Sequence, residues 1–574
     1  MKAPAAGHPL PSGEGVAFCI CAENPLVLCS FRPLGAAAEL AKLPQSKEAK
    51  TVTAALPTLL LSALYISSQA LFGQAKSEAQ LHAERGLQLM QAGDLPAAEL
   101  ELRQAVKLSP RDPTHLAELG VVLGMEQKLA DSDRYFQEAL GFDPDNVAIR
   151  RNLAKNQWRL GEFESAEVNL QKILKAQPGD EGSTLILGMV EENLQHFASA
   201  ARLLNSVPAL VTQHPEAVAA LARSYYQIKN SSSARQTLRS LLQDNVPSEA
   251  LYLGGQTALE AEDFNTAEEL FAAAKPGYAD RSKLGYFLAF SRYRGGKFRD
   301  CQDTVLDTLA AGPPTRDLYT LLGWCYAQQD KIRESTEAFD QAVALDPANE
   351  TTYLDLGTVL LDHRQDELAL ALGKETATKF PSSYRSLMLR GTAEANLGYL
   401  TDAVKSFGRA VELNPNSPEA NYDLAIIQSI AGFANDALGT LQRGIKKFPR
   451  DAPHYQEYAS LEIQQAEGGD AGAEARAYEA LHKALSLDNS LAQAHLLLGK
   501  LELKNNRVEQ AVSELETAAK LDPHDAAIHL ALSRAYARLG VPDKAAKELA
   551  TYKNFAQAEL QGGRGRTPVA LRPW

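Results

Sequence analysis

The chain has 574 residues, a formal net charge of −13 and five cysteines. The excess of acid argues against general nucleic-acid binding, which needs a basic footprint for phosphate, and the cysteines lack the paired spacing of a zinc site. A chain of this length normally divides into several globular domains unless its core is one-dimensional.

Residues 1–46 are rich in Pro, Gly and Ala, show no period, and are expected to be a disordered extension that carries Cys19, Cys21 and Cys29. Lys47 and Lys50 then precede an apolar run from Thr51 to Phe72, which includes Leu59, Leu60, Leu61, Leu64 and Ile66 and is followed by Gly73-Gln74-Ala75. Positive charge, an apolar stretch and a small-x-small site come in the order of a secretory signal peptide over 47–75, cleaved after Ala75 or Ala70. A signal peptide belongs at the start of a chain, so translation is expected to begin near Leu43 or Val52, with residues 1–46 not part of the native protein. Two alternatives stay open. The run is long enough for an uncleaved membrane anchor, although Pro57, Ser62, Ser67 and Ser68 weaken it; or it is an amphipathic helix packed on the residues C-terminal to it, in a cytoplasmic protein.

From residue 76 to 555 one pattern returns every 34 residues. Small residues stand at Gly86, Gly120, Ala154, Gly188 and Ala222, and again at Gly323, Gly357, Gly391, Ala425 and Ala459. A second small residue follows twelve later (Ala98, Ser132, Ala166, Ala200, Ala234), then a large apolar one such as Phe136, Phe271, Phe339 or Phe407. A third small residue (Ala105, Ala139, Ala342, Ala410, Ala518) is followed five residues on by Pro110, Pro144, Pro347, Pro415 or Pro523. Small residues let two helices approach closely beside a bulky filler. Proline ends each unit because it cannot continue a helix interior.

This order resembles the tetratricopeptide repeat, a helix-turn-helix unit that stacks into a superhelix. The resemblance implies an all-α, right-handed superhelical solenoid of about 14 repeats, and with the signal-like segment the chain is identified as a bacterial, exported member of that family. Gly93, Gly161, Gly296, Gly398, Gly432 and Gly540 fall where the first helix of a unit ends in a left-handed cap. Gly468–Gly472 interrupt one unit between its helices. The fourth and fifth units match worst and mark a candidate hinge. Residues 556–574 are expected to form a disordered basic tail, and Cys301 and Cys325 occupy core positions, their pairing open.

No nucleotide-binding loop, HExxH, GxSxG or dinucleotide-binding motif is present, so no catalytic residue, cofactor or metal is expected. The resemblance implies instead that recognition runs along a groove lined by positions 2, 5, 9, 12 and 13 of each unit, with Gly86 and its equivalents at position 8. Units five to eight then present Tyr226, Tyr252, Tyr286, Phe290, Tyr293 and Trp324, aromatic types that anchor binding hot spots. Unit three presents Arg151, Lys155 and Arg159 on one helix face, and units thirteen and fourteen present Lys500, Lys504, Arg534 and Arg538. At position 6, where sugar-transferase members of the family carry asparagines, the chain has Glu84, Glu118, Asp355, Asp423 and Glu457, with Asn152 the one match. The expected function is a non-enzymatic scaffold that binds a protein or peptide in the groove, in the periplasm or cell envelope. Alternatives are a carbohydrate-handling protein of polysaccharide secretion, since aromatic strips also stack on sugar rings, and a cytosolic co-chaperone-like adaptor.

Overall fold

The computed structural model describes residues 77–243 and 245–561. The readings of 1–46, of 47–75 and of the tail beyond 561 lie outside the described residues. Within them all regular structure is helical: fourteen helix pairs run from Glu78–Gln91 with Leu95–Leu108 to Ala526–Leu539 with Pro542–Gln561.

The 34-residue order has a packing cause. A Cβ added to Gly323 would lie 2.6 Å from the ring of Phe339, and one on Gly255 or Gly120 would lie 2.6 or 2.8 Å from Phe271 or Phe136. The small residue of the first helix is therefore the seat of the large residue sixteen positions later. Glycine also seats leucine, as Gly86 does Leu102 and Gly499 does Leu515, while the alanines Ala154 and Ala425 face Leu170 and Leu441, all four fully buried.

The turn between the two helices is equally regular. Each unit carries one residue in the left-handed region there: glycine at the six positions named above and at Gly469, but Gln127, Gln195, Lys229, Glu262, Asp330, Arg364 and Asn506 in the others. Side-chain caps start the first helices of units eight to eleven, where Thr315, Asn349, Ser383 and Ser417 accept from the amides of Leu318, Thr352, Ser386 and Ala420.

At most junctions the first helix of a unit touches the first helix of the next, whereas the second helices come comparably close only between units five and six. The stack therefore curves with its first helices on the inner face. Units four and five have second helices of nine residues, each continued by a short helical turn, Pro208–Val211 and Ser240–Leu242. A single apolar core nonetheless runs from Leu185 to Ala338 through this region, so the mismatch in sequence produces no seam there.

Three further features concern ends and links. Gly468–Gly472 form the loop between Ala452–Glu467 and Ala473–Leu487. The last helix runs past residue 555 to Gln561, because Phe555 packs against His524 and His529, each 5.5 Å between ring centres. Cys301 and Cys325, both fully buried, form a disulfide with Cα atoms 6.4 Å apart. It ties the second helix of unit seven, Phe298–Ala311, to the first helix of unit eight, Arg316–Ala327.

Candidate functional site

On the inner face, three consecutive first helices bring aromatic and acidic side chains together: Arg281–Arg294, Arg316–Ala327 and Glu350–Asp362. Tyr286, Phe290 and Tyr293 share one face of the first because they are spaced four and three residues apart. The rings of Tyr286 and Phe290 are nearly parallel, 8° apart in plane with centres 6.0 Å apart. Trp324 follows on the next helix, 7% exposed, its ring edge-on to Phe339 at 6.0 Å. Asp355, one unit further on, is near enough for the indole to favour the charged form of its carboxyl.

Asp355 is the electrostatic centre of this group. Burial pushes its carboxyl up to about 7, against the opposing effects of Trp324 and of Arg316. It keeps some accessible surface while protein surrounds it, as a side chain in a concavity does. Burial, with the charge of Asp355 among the lesser contributions, pushes the hydroxyls of Tyr286 and Tyr293 up to about 12. Gln328 of unit eight opposes the rise at Tyr293. Thus Tyr286, Phe290, Tyr293 and Trp324 form one continuous strip.

The other two aromatic candidates serve the stack. Tyr252 is 6% exposed and lies within the core, stacked on Tyr278 at 4.5 Å and edge-on to Phe287 at 5.7 Å. Tyr226 is half-buried and donates from its hydroxyl to Asp263 at 3.0 Å, linking unit five to unit six. Position 5 or 12 alone does not tell a groove side chain from a spacer; neighbouring Phe271 and Phe287 draw Tyr252 inward.

The basic residues divide in the same way. Arg151 is paired with Asp180 at 2.6 Å and Arg159 donates to the Gly124 carbonyl at 3.4 Å, both tying unit three to a neighbour. Burial lowers the affinity of Arg159 for its proton. Lys504 is paired with Glu474 at 2.6 Å, and Arg538 donates to the Leu503 carbonyl at 2.6 Å near the end of the helix Ala492–Lys504. Lys155, Lys500 and Arg534 are exposed and make no ion pair among the described residues.

Position-6 acids are the groove feature that sequence reasoning used only to exclude a relative. Burial raises the carboxyls of Glu118, to about 7, and of Glu457, as it does that of Asp355. The recurrence of acid at position 6 was the available signal, but burial at that position was not readable from it. Two shallow depressions lie elsewhere. One of about 490 Å³ is lined by Arg239, Glu268, Glu269 and Lys297, the other, of about 370 Å³, by Pro418, Phe448 and Asp451. Along the strip Tyr286 and Tyr293 are half-buried, whereas Phe290 and Trp324 are 8% and 7% exposed and belong also to the apolar core.

Signatures described as tetratricopeptide repeat match residues 84–147, 354–418 and 496–559, a second such signature matches 125–185, and a third matches 317–349. The chain is similar to cellulose synthase 1 operon protein C of Komagataeibacter xylinus, 27% identical over 184 residues, which is 29% of this chain and 13% of that protein. It is 22% identical over 343 residues to a DnaJ homolog subfamily C member 7 homolog of Schizosaccharomyces pombe, covering 56% of this chain and 68% of the relative. It is 25% identical over 209 residues to the human mitochondrial import receptor subunit TOM70, covering 35% of this chain and 33% of the relative. Thus the match spans only an eighth of the bacterial relative and a third of the human one. Among solved structures, yeast Tom70 is similar at 17% identity and a TM-score of 0.38, covering 84% of this chain and 96% of that one. With signature matches on the helix pairs of units one to three, eight to ten, thirteen and fourteen, the chain belongs to the tetratricopeptide-repeat family.

Proposed function

We propose that this chain is a non-enzymatic scaffold of the bacterial cell envelope that holds an extended protein or peptide segment along its inner face. The observation that carries the reading is the strip of Tyr286, Phe290, Tyr293 and Trp324 on consecutive first helices. Large aromatic side chains supply binding energy at low cost in conformational entropy, and a curved helical face gives an extended chain many small contacts. Export is supported by the signal-like segment and by the Cys301–Cys325 disulfide, since such bonds persist in oxidising compartments.

Selection of binders from a randomised decapeptide display on the full chain, repeated with Phe290→Ala and Trp324→Ala, tests the groove reading. Each substitution is expected to weaken selected peptides at least fivefold with helicity unchanged. N-terminal sequencing of native protein tests export. A mature terminus near residue 71 or 76 supports it, and intact Met1 in the cytoplasm refutes it.

The similarity to cellulose synthase 1 operon protein C favours a second reading, in which the same strip stacks on sugar rings during polysaccharide secretion. Retention on immobilised cellulose that is lost in Trp324→Ala would favour it over peptide binding.

A further inference from the structure

We propose that the turn edge of units ten and eleven, where Tyr399, Ile430 and Phe433 stand exposed, docks an amphipathic segment of a protein partner whose apolar face is flanked by lysine or arginine. This edge lies apart from the strip of units seven and eight, and it acts whether or not the groove binds.

Tyr399 and Phe433 occupy position 16, the residue after the left-handed glycine of the turn. Gly398 and Gly432 sit at φ 83° and 86°, and the next amides donate to the carbonyls of Glu394 and Gln428 at 2.8 Å, so the two side chains leave equivalent turns at equivalent points. In units one to nine this place is polar throughout, from Asp94 and Lys128 to Lys331 and Gln365. It is also the cap of the second helix. Asp94, Asn230 and Asp263 accept there from the amides of Ala97, Ser233 and Thr266, whereas Tyr399 and Phe433 make no side-chain cap bond. Two turns thus give up the residue types that a helix start favours for rings that stand 55% and 43% exposed. Ile430, 50% exposed, adds a third large apolar group at the end of the helix Pro418–Ile430, where the four preceding units carry Arg294, Gln328, Asp362 and Asn396.

Other units show what position 16 faces. Lys128 meets Glu99 at 2.7 Å, Asp263 meets Arg235 at 2.7 Å and Lys297 meets Glu268 at 2.6 Å, in each case position 21 of the preceding unit. Before Tyr399 and Phe433 that position holds Leu370 and Val404, and in unit eleven it holds Leu438, so a polar ladder gives way to an apolar one over three units. Large exposed apolar side chains grouped on one edge mark a docking surface, as single scattered ones do not. Charge selects the occupant. Asp436, one turn into the helix after Phe433, and Glu467, the last residue of the helix Ala452–Glu467, are exposed and make no ion pair among the described residues, while Lys405 is already paired with Asp402 at 3.0 Å. Cationic flanks are therefore attracted to this edge and anionic ones repelled. A second copy would set the same acids face to face, and an anionic lipid surface would be repelled in the same way.

The test selects displayed amphipathic helices of about 14 residues, randomised on the flanks of the apolar face, against the full chain, with counter-selection on Tyr399→Ser combined with Phe433→Ser. Such a helix is about 21 Å long, enough to cross two units. Serine is a favoured cap, so the double variant is expected to melt no lower than the wild type, and lost binding then cannot be ascribed to misfolding. Binders are expected to carry Lys or Arg on their flanks and to lose about tenfold in affinity for the double variant. Asp436→Asn with Glu467→Gln, which leaves the rings in place, is expected to weaken them about threefold. A selection that yields no binder able to tell the wild type from the double variant overturns the docking surface, and binders with neutral or acidic flanks overturn the cationic partner. A wild-type dimer in sedimentation, or flotation with phosphatidylcholine vesicles, that the double variant abolishes would overturn the proposal by assigning the edge to a second copy or to a membrane.

Discussion

Gly323 and Phe339 are matched across the two helices of unit eight so closely that a Cβ on the glycine would lie 2.6 Å from the ring. Gly323→Ala should therefore destabilise the array by about 1–3 kcal/mol, as overpacking of a tight core does. Adding Phe339→Leu should recover most of the loss, because units three and eleven already pair alanine with leucine at these two places. Denaturant midpoints of the single and double variants check this. Additive losses would show that the two positions are not coupled.

The turn between helices offers a change of opposite sign at equivalent places. Lys229 is exposed and sits at φ 63°, where a side chain costs about 1–2 kcal/mol, so Lys229→Gly should raise stability by up to about 1 kcal/mol. Gly432 sits at φ 86° with nothing within 4 Å of an added Cβ, so Gly432→Ala should lower stability through backbone strain alone. Thermal melts of both variants measure the two effects. A loss in both would mean that Lys229 contributes contacts that outweigh its strain.

Stability should depend on pH through Asp355 and Glu118, whose carboxyls both rise to about 7 by burial. Between about pH 4 and pH 7 the unfolded chain gives up these protons while the folded chain retains them. Their contribution is therefore present below pH 4 and is lost as the pH rises through 7. Denaturation midpoints compared at pH 5 and pH 7.5 should favour the lower pH. The pair Asp355→Asn with Glu118→Gln should flatten the difference, and an undiminished difference would assign it to other groups.

Reduction of the Cys301–Cys325 disulfide should cost about 3 kcal/mol, the loop-closure value for a link of this span. Because the bond joins unit seven to unit eight, hydrogen exchange should accelerate first in Phe298–Ala311 and Arg316–Ala327. Thiol titration of the unfolded, unreduced protein checks the premise. Two reactive thiols from these positions before reductant is added would remove it.

Lys500 and Arg534 remain as exposed cations at the C-terminal end of the array, whereas Lys504 and Arg538 are engaged within it. An acidic decapeptide, if held there, should lose affinity with salt on the scale of a Debye length of about 8 to 10 Å. Lys500→Ala with Arg534→Ala should abolish that dependence, while Lys504→Ala should mainly release Glu474. Equal binding of acidic and neutral peptides by the wild type would make these two residues a solvated face.

Much of the fold was legible because a repeat writes the same local physics many times. The glycine at position 8 and the aromatic sixteen later are one contact, visible as two letters at a constant spacing. The left-handed turn was visible only where glycine occupies it. Gln127, Lys229 and Arg364 adopt the same φ without the matching letter, held there by the helices on either side. Of the aromatic candidates, Tyr286, Phe290, Tyr293 and Trp324 come together, with Phe290 and Trp324 buried like Tyr252 although all three have groove positions in the register.

The sequence by itself determined the helix pairs and their number, since each depends on residues within one period or its immediate neighbour. Tertiary structure decided the rest. The pairing of Cys301 with Cys325, the consumption of Arg151, Arg159, Lys504 and Arg538 by neighbouring units, and the burial that raises Asp355 all depend on how one unit is set against the next. Charge and reactivity depend on which atoms surround a side chain and how much water they exclude, and those atoms belong to residues in the adjacent units.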